Sequence, residues 1–472
     1  MNAKTLTFLK NISYTLSSNV VTLIISALVV FILPKLLSIE EYGYWQLFIF
    51  YSSYVPFLQF GWSDGVYLRY GGREYKELDK NLFFSQFFML FLSQIFIAII
   101  IFVSSNLLVH DIDKSFIFFL LAIFLVLVNT RYFFIYLLQA TNRFKEYSRI
   151  ILTDRVLYIS LIIAFLFFGA RDYKIIIISE LIGKLISVLY GIYCCRDILY
   201  RSFSAFKFNL GETIKNVSAG FKLTLSNTAS MLIIGVNRFG IERFWDVSTF
   251  AKVSLTLNIS NFMMIFINAV GIILFPILKR TNKKKLPEIY VTMRTFLMVL
   301  LLGALIVYYP LNVILSAWLP NYAESLIYMT LVLPICVYEG KMALLINTYL
   351  KSLRKENLML TINSISLVIS TFISFLTIVL LGNLDLAIVS IVFSLALRSV
   401  IAELLLSRII NISVYKDLIL EISMTVIFIF TGWYLVSWLA LIIYLIAYGS
   451  YLTLKRRDIK DTLFKVRVWM KA

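Results

Sequence analysis

Long stretches without a charged residue dominate this sequence of 472 residues and limit what the chain can fold into. A helix that crosses a bilayer needs about 20 mostly apolar residues, and six charge-free stretches reach that length: 11–34, 42–63, 81–110, 253–278, 295–323 and 357–384. Six more candidates are shorter or carry charges: 115–138, 156–170, 174–193, 223–237, 325–350 and 386–407. The charge-free stretch 422–454 is long enough for two helices that turn back between Trp433 and Trp438. The pattern predicts an all-α polytopic membrane protein with about 14 transmembrane helices.

The rest of the composition excludes several classes of enzyme. Only 15% of the residues are charged, against about 25% in soluble proteins. His110 is the single histidine, which excludes zinc proteases of the HExxH type and catalytic triads that depend on histidine. The three cysteines form no CxxC pair, and the sequence has no Walker A or GxGxxG pattern. We therefore expect no catalytic residue, no metal and no cofactor.

The basic residues indicate how the chain is oriented in a membrane. It has 44 Lys and Arg against 26 Asp and Glu, a formal net charge of +18. With the N-terminus in the cytoplasm, 33 of the 44 fall on the cytoplasmic side, 7 in outer loops and 4 within predicted spans. Because Lys and Arg concentrate in cytoplasmic loops, both termini are predicted to be cytoplasmic. The basic excess then requires no nucleic acid partner.

The longest polar connection, around 194–222, divides the helices into two sets. The predicted organisation is an N-terminal lobe with six helices, a cytoplasmic linker, a C-terminal lobe with six helices, two further helices and a basic cytoplasmic tail. These regions are 1–195, 196–221, 222–410, 411–454 and 455–472, in that order.

Two short motifs bear on how these helices pack. Residues 39–48 and 241–250 both begin Ile-Glu-charged-aromatic and end in Phe, each at the outer end of an odd-numbered helix. This echo favours two pseudo-symmetric six-helix lobes. Gly61 and Gly65 form a GxxxG pattern beside Asp64, which we interpret as a turn rather than as close helix packing.

Charged residues inside membrane spans are costly and are functional candidates by default. Five cations lie within the predicted spans or at the outer end of helices seven and eight: Arg131, Lys184, Arg238, Lys341 and Arg398. Arginine and lysine bind phosphate well, so these cations predict a cavity for an anionic cargo. Structural ion pairing is the alternative, as between Glu180 and Lys184 four residues apart, or among Glu242, Arg243 and Asp246 at the outer end.

Four acidic residues also lie in or beside the predicted spans: Asp154, Glu180, Glu339 and Glu403. They are candidates for proton coupling or for ion pairing with the cations. Lys341 is only two residues from Glu339 and so lies on a different helix face, which argues against a pair between these two. Whether transport is coupled to protons stays open.

Residues 33–45 read Leu-Pro-Lys-Leu-Leu-Ser-Ile-Glu-Glu-Tyr-Gly-Tyr-Trp, and Gly61 and Leu68-Arg69-Tyr70 follow. This segment resembles the opening of polysaccharide-type lipid flippases, with their Leu-Pro, Leu-Ser and acidic-aromatic-Gly motifs and an Arg-Tyr at the end of helix two. Helix count, lobe boundary and length extend the resemblance over nearly the whole chain. The most similar type is the O-antigen flippase (Wzx-type) of Gram-negative bacteria, within the multidrug/oligosaccharidyl-lipid/polysaccharide (MOP) exporter superfamily.

The resemblance implies a MATE-like pair of lobes that enclose a cationic central cavity, with two added C-terminal helices. Such proteins are not enzymes. They carry undecaprenyl-pyrophosphate-linked oligosaccharide from the cytoplasmic to the periplasmic leaflet of the inner membrane by alternating access, in O-antigen and lipopolysaccharide biosynthesis. Membrane lipids, a polysaccharide polymerase and chain-length proteins are the partners that this role implies. The sequence does not indicate which sugars the oligosaccharide contains.

Two other functions remain to be weighed. A cation-coupled multidrug exporter of the same superfamily would need an acidic site in one lobe, and the cationic bias disfavours it. A membrane-embedded polymerase or ligase of the same pathway would need a large periplasmic loop with catalytic groups, and no predicted loop is long enough.

Overall fold

The computed structural model describes residues 3–280, 286–435 and 438–471, and within those ranges the chain forms helices and no strands. It divides into two units, Met1–Thr228 and Ala229–Ala472, with the boundary inside helix α9. The first unit contains α1 Ala3–Leu36, α2 Ile39–Ser52, α3 Trp62–Tyr70, α4 Lys80–Leu108, α5 Ile112–Ala140, α6 Phe144–Phe167, α7 Tyr173–Cys194, α8 Arg196–Leu199 and the start of α9 Leu210–Phe244.

The second unit continues from α9 and its helices are more often interrupted. They are α10 Val247–Arg280, α11 Leu286–Ala304, α12 Tyr308–Trp318, α13 Tyr328–Val332, α14 Ile335–Lys341, α15 Asn347–Ser352, α16 Glu356–Ser374, α17 Leu384–Ile410, α18 Tyr415–Tyr434, α19 Trp438–Leu454 and α20 Arg456–Lys471. Short π-helical turns follow α14 at Met342–Ile346 and α16 at Phe375–Leu380.

Eleven helical segments in the described part of the chain are long and apolar enough to cross a membrane, or twelve with α19 and the first part of α20. Together with the broken segment α2–α3 and with α10, these segments follow the 14 predicted positions. The prediction of an all-α polytopic membrane protein is confirmed. The second predicted span is not one helix, because a 3₁₀ turn at Val55–Gln59 separates α2 from α3. Pro56, a residue type that interrupts α-helices, lies at the start of this turn.

Acidic side chains explain where several spans begin. Asp79, Asp111 and Asp172 precede α4, α5 and α7, and the carboxylate of each accepts hydrogen bonds from backbone amides of the first turn. Such caps satisfy amides that have no partner within the helix. The negative carboxylate also interacts favourably with the positive end of the helix dipole. The acids between the apolar stretches therefore end loops and start helices.

Three details differ from the sequence analysis. The segment 196–221 is not a simple linker, because α8 lies in it and α9 begins at Leu210. The echo segments do not occupy equivalent positions, since 39–48 lies in α2 whereas 241–250 includes the end of α9 and the start of α10. The segment 455–472 is largely the helix α20, whose first part is bent by 68° from α19.

The pair Gly61 and Gly65 lies at a turn and also in a close contact between helices. A Cβ atom on Gly65 would lie 1.8 Å from the carbonyl oxygen of Asn216, and one on Gly220 would lie 2.0 Å from that of Gly61. The backbones of α3 and α9 are therefore in direct contact, which only glycine permits. The predicted turn is present, because Gly61 has a φ of +79° and immediately precedes α3. The close helix packing that the interpretation set aside is present as well.

Candidate functional site

A buried group of charges joins helices α5, α6 and α7 of the first unit. We call it the first charge cluster and define it as Arg131, Asp154, Arg155, Glu180 and Lys184. The Lys184 ammonium donates to both carboxylate oxygens of Asp154, at 3.0 and 2.7 Å. Arg131 approaches the same carboxylate at 3.2 Å and donates through Nε to Ser187 at 2.8 Å.

Asp154 is the centre of this cluster, fully enclosed and shared by two cations. The nearest oxygen of Glu180 is 3.5 Å from Lys184, and its other oxygen is buried without a hydrogen-bond partner. Close packing of α6 and α7 permits this arrangement, because a Cβ atom on Gly183 would lie 2.8 Å from the carbonyl oxygen of Asp154. Arg131, Lys184, Asp154 and Glu180, all selected from the sequence, thus lie in one cluster.

Arg155 distinguishes this cluster from an ordinary set of ion pairs. It lies in the middle of α6, its side chain is half-buried, and Asp154, Glu180 and Tyr132 are among the residues that interact with it electrostatically. Among the contacts resolved for the described part of the chain, its guanidinium makes no hydrogen bond and no ion pair. With three cations and two carboxylates among the described residues, the cluster as defined carries one net positive charge.

A second charge cluster, Arg294, Lys341, Glu403 and Glu421, joins α11, α14, α17 and α18 of the second unit. The Lys341 ammonium lies 2.8 Å from Glu403 and 2.6 Å from Glu421. Arg294 donates to the same two carboxylates, at 3.1 Å to Glu421. Tyr290 also donates to Glu403 at 3.0 Å. Two cations and two carboxylates balance, and all four side chains are enclosed.

The other predicted residues of the second unit form separate pairs. Arg398 donates to Glu339 at 2.8 Å, and the arginine is 2% exposed against 22% for the glutamate side chain. Lys341 does not pair with the nearby Glu339, as its helix position predicted, and pairs with Glu403 and Glu421 instead. Asp417 bridges Arg294 and Lys455 at the edge of the second charge cluster.

Arg238, near the end of α9, makes its resolved contacts outside the second charge cluster. It donates to Ser254 at 3.0 Å, and its guanidinium lies 5.3 Å from the ring centroid of Phe250. Asp246 accepts from the backbone amide of Thr249 at 2.7 Å and so caps α10. Hydrogen bonds from the Thr249 side chain and backbone lower the pKa of Asp246. The capping interaction gives Asp246 a role in starting α10, beside the ion pairing that remains a prediction for this end of the helices.

An apolar groove of about 780 Å³ lies in the second unit, mainly between α17 and α18. Phe393, Phe430, Trp433 and Tyr434 give it an aromatic wall. Asp385 is the one acidic residue in its lining, and no Lys or Arg of the described chain contributes to it. The groove has the chemistry of a site for apolar or cationic molecules and differs sharply from the first charge cluster.

Three important residues were missed from the sequence: Arg155, Arg294 and Glu421. The charge-free criterion ended the predicted spans beside them, whereas α6, α11 and α18 continue past each charge. A charge inside a bundle need not end a helix when it is paired, as Arg294 and Glu421 are, or lies beside carboxylates, as Arg155 does. The uninterrupted segment Phe144–Phe167, which contains neither Pro nor Gly, was the signal that could have located Arg155.

Solved structures show the class to which this fold belongs. A multidrug resistance MATE family transporter of the MOP superfamily, in its inward-facing conformation, matches with a TM-score of 0.61 and 10% identity, covering 83% of this chain and 98% of that chain. A MATE crystal structure in the straight conformation matches with 0.57 and 12%, covering 84% and 93%. MATE in complex with MaD3S matches with 0.58 and 12%, covering 84% and 93%. The chain has the fold of MATE-type membrane transporters.

The sequence comparison then identifies the family. The chain belongs to the polysaccharide biosynthesis protein family, whose model matches residues 8–282, more than half of its length. It is therefore a multi-pass membrane protein of the polysaccharide biosynthesis protein family with a MATE-type fold. No curated protein matches the sequence.

Proposed function

We propose that this chain is a flippase for an undecaprenyl-pyrophosphate-linked oligosaccharide, the repeat unit of an O-antigen. It moves this lipid from the cytoplasmic to the periplasmic leaflet of the bacterial inner membrane by alternating access, with both termini in the cytoplasm. The proposal depends on one observation above all: the first charge cluster has one more cation than carboxylates among the described residues, and Arg155, inside a membrane-spanning helix, makes no hydrogen bond or ion pair there.

A pyrophosphate fits that observation chemically. Guanidinium groups donate paired hydrogen bonds to phosphate oxygens, and Arg155 has donors to spare in the first unit. Arg131 and Lys184 are held by Asp154, so they contribute positive potential without having to move. In the low dielectric of a membrane protein an uncompensated charge is strongly unfavourable. An anionic cargo would supply the missing counter-charge, which favours loading of the cluster by phosphate.

The cationic path that the resemblance implies is thus proposed to depend on Arg155 more than on the five cations selected from the sequence. Arg398 and Lys341 are neutralised by carboxylates of their own unit. Arg238 is held by Ser254 and Phe250. Membrane lipids are the immediate surroundings, and polymerase and chain-length proteins are proposed as consumers of the translocated repeat unit.

Replacement of Arg155 by Gln tests the function in cells. Loss of a hydrogen bond to a charged group costs about 1.5–3 kcal/mol, so we expect binding of undecaprenyl pyrophosphate to weaken roughly 10- to 100-fold. Surface polysaccharide should fall, and lipid-linked repeat units should accumulate on the cytoplasmic leaflet. Arg149→Gln is the matched control, because Arg149 lies on the same helix but is exposed. Normal polysaccharide with Arg155→Gln at normal protein level would contradict the proposal.

A multidrug exporter is the second candidate, and the apolar groove is the observation that favours it. Aromatic rings around a carboxylate attract organic cations, and the groove offers Asp385 with five aromatic side chains, Tyr338 among them. This function predicts that expression of the chain raises resistance to ethidium and that Asp385→Asn abolishes the effect. Unchanged ethidium resistance in a strain with normal polysaccharide export would eliminate this candidate.

A further inference from the structure

Four tyrosines of the first unit form an accessible surface close to the first charge cluster. We call it the tyrosine surface and define it as Tyr67, Tyr132, Tyr136 and Tyr147. Tyr132 and Tyr136 stack with ring centroids 5.8 Å apart, and Tyr67 lies 5.9 Å from Tyr136. Tyr147 interacts electrostatically with both Tyr67 and Tyr132. Each ring is at least partly accessible, and that of Tyr67 is 37% exposed.

The placement of these rings on α5 is selective. Residues 133–135 and 137–138 are buried, whereas Tyr132, Tyr136 and Gln139 are partly accessible and follow one another at helical spacing. Such spacing places them on a single face of the helix. An accessible row of stacked tyrosines on a membrane-spanning helix is amphipathic, with apolar ring faces and hydroxyl groups at the edge.

Asp64 lies at one end of this surface and is unusual for a membrane-spanning segment. Its half-buried carboxylate accepts from Thr224 at 3.1 Å and interacts with the hydroxyl of Tyr136. No Lys, Arg or His among the residues that the structure describes pairs with it. A carboxylate has about four acceptor positions, so Asp64 keeps acceptor capacity for hydroxyl donors of a ligand.

The charge cluster lies at the other end. Tyr132 interacts electrostatically with both Arg131 and Arg155, and also with Asp64. The order along the first unit is therefore a hydroxyl-accepting carboxylate, stacked tyrosine rings and an arginine that lacks an acceptor. A cationic ligand would be repelled by Arg131 and Arg155, whereas an uncharged ring with many hydroxyl groups would not.

We infer that the tyrosine surface and Asp64 bind the saccharide next to the pyrophosphate, so that sugar and phosphate occupy adjacent parts of one site in the first unit. This inference rests on the proposed function. The apolar faces of pyranose rings stack on tyrosine, and their hydroxyl groups donate to Asp64. Arg155 holds the pyrophosphate at the opposite end.

The test compares two lipids that differ only in the sugar: undecaprenyl pyrophosphate, and the glycosylated form extracted from cells that lack this chain. Binding of each is measured with the full-length protein in nanodiscs. Tyr132→Ala and Tyr136→Ala should weaken binding of the glycosylated lipid roughly 3- to 10-fold. Binding of the sugar-free lipid should stay within about 2-fold of the wild-type value. Asp64→Asn should show the same selectivity.

Controls separate the inference from the proposed function. Tyr193→Ala removes a ring from the stacked pair Tyr190 and Tyr193 in the same unit, and it should affect neither lipid. Tyr132→Phe keeps the stacking ring and should retain most of the binding of the glycosylated lipid. Equal weakening of both lipids by the alanine variants, or no weakening, would overturn the inference. Failure of the wild-type protein to bind undecaprenyl pyrophosphate would instead overturn the proposed function.

Discussion

The two buried charge clusters differ in balance and in access. The second charge cluster has two cations and two carboxylates, and Lys341 at its centre is 0% exposed. The first charge cluster has three cations for two carboxylates, and Arg155 reaches accessible space. A neutral enclosed cluster fixes four helices in place, whereas a positive accessible one is suited to an anion. A cation inside a span can therefore be interpreted as part of a binding site only after its neighbouring carboxylates have been identified.

The largest effect is expected from Lys341→Met in the second charge cluster. Removal of one partner from a buried ionic network typically costs about 3–5 kcal/mol, because Glu403 and Glu421 would then share Arg294 alone. Thermal unfolding of the purified protein in detergent measures the loss. Lys351→Met, at an exposed position of the same unit, is the control. The double variant Lys341→Met with Glu421→Gln should recover part of the stability, and absence of recovery would argue against charge balance as the cause.

A smaller loss, about 2–3 kcal/mol, is expected from Asp154→Asn in the first charge cluster. Arg131 and Lys184 lose their shared acceptor, but the Arg131 side chain is 9% exposed and keeps some solvation. Inorganic pyrophosphate should therefore restore part of the melting temperature of this variant and none of that of Lys341→Met. Asp113→Asn, which disrupts an accessible pair with Lys174, is the control. Equal responses of both cluster variants to pyrophosphate would remove the distinction between the clusters.

Glu180→Gln should increase the difference in net charge between the two clusters. One carboxylate oxygen of Glu180 has no partner and the other is 3.5 Å from Lys184, so we expect a stability change of about 1 kcal/mol or less. The net charge of the first charge cluster rises to two. At an effective dielectric near 20 this should strengthen pyrophosphate binding about five-fold. Weaker binding by this variant would mean that Glu180 supports the anion site rather than opposing it.

The smallest effect on stability is expected from Arg155→Gln. The half-buried side chain makes no hydrogen bond or ion pair among the described residues, so its replacement removes no stabilising contact. Because an uncompensated charge is costly inside a membrane protein, we expect no loss of stability. The same variant should strongly impair transport. Denaturation curves beside polysaccharide assays separate these two effects. A loss of several kcal/mol would place Arg155 among the structural residues and would make the two clusters alike.

Much of the fold could be predicted from local sequence. The spans, their number and the paired helices in 422–454 followed from runs of apolar residues, because the bilayer imposes the same thickness on each helix. The charge-free criterion ends the predicted spans beside Arg155, Arg294 and Glu421. These ends are wrong, because α6, α11 and α18 continue past the charges. The break between α2 and α3 and the glycine contact between α3 and α9 depend on packing and have no comparable local pattern.

The candidate site was predictable in part. Arg131, Asp154, Glu180 and Lys184 were identified because charges are costly in a membrane, and they do lie together. Their partners were not identifiable: Asp154 and Lys184 are 30 residues apart, and Lys341 and Glu421 are 80 apart. Such pairs form only after helices pack.

The sequence by itself determined that this chain is a polytopic helical membrane protein, and the first 70 residues indicated a polysaccharide-type family. Hydrophobic length and charge distribution are local properties, and they determine for each helix separately whether and in which orientation it spans the bilayer. Tertiary structure alone decided which of the described charges neutralise one another and that Arg155 has no ion-pair partner among them. The pairing depends on distances between side chains on different helices, which the sequence does not give. The candidate binding residues are therefore Arg155 and the tyrosines beside it rather than the five cations predicted from the sequence.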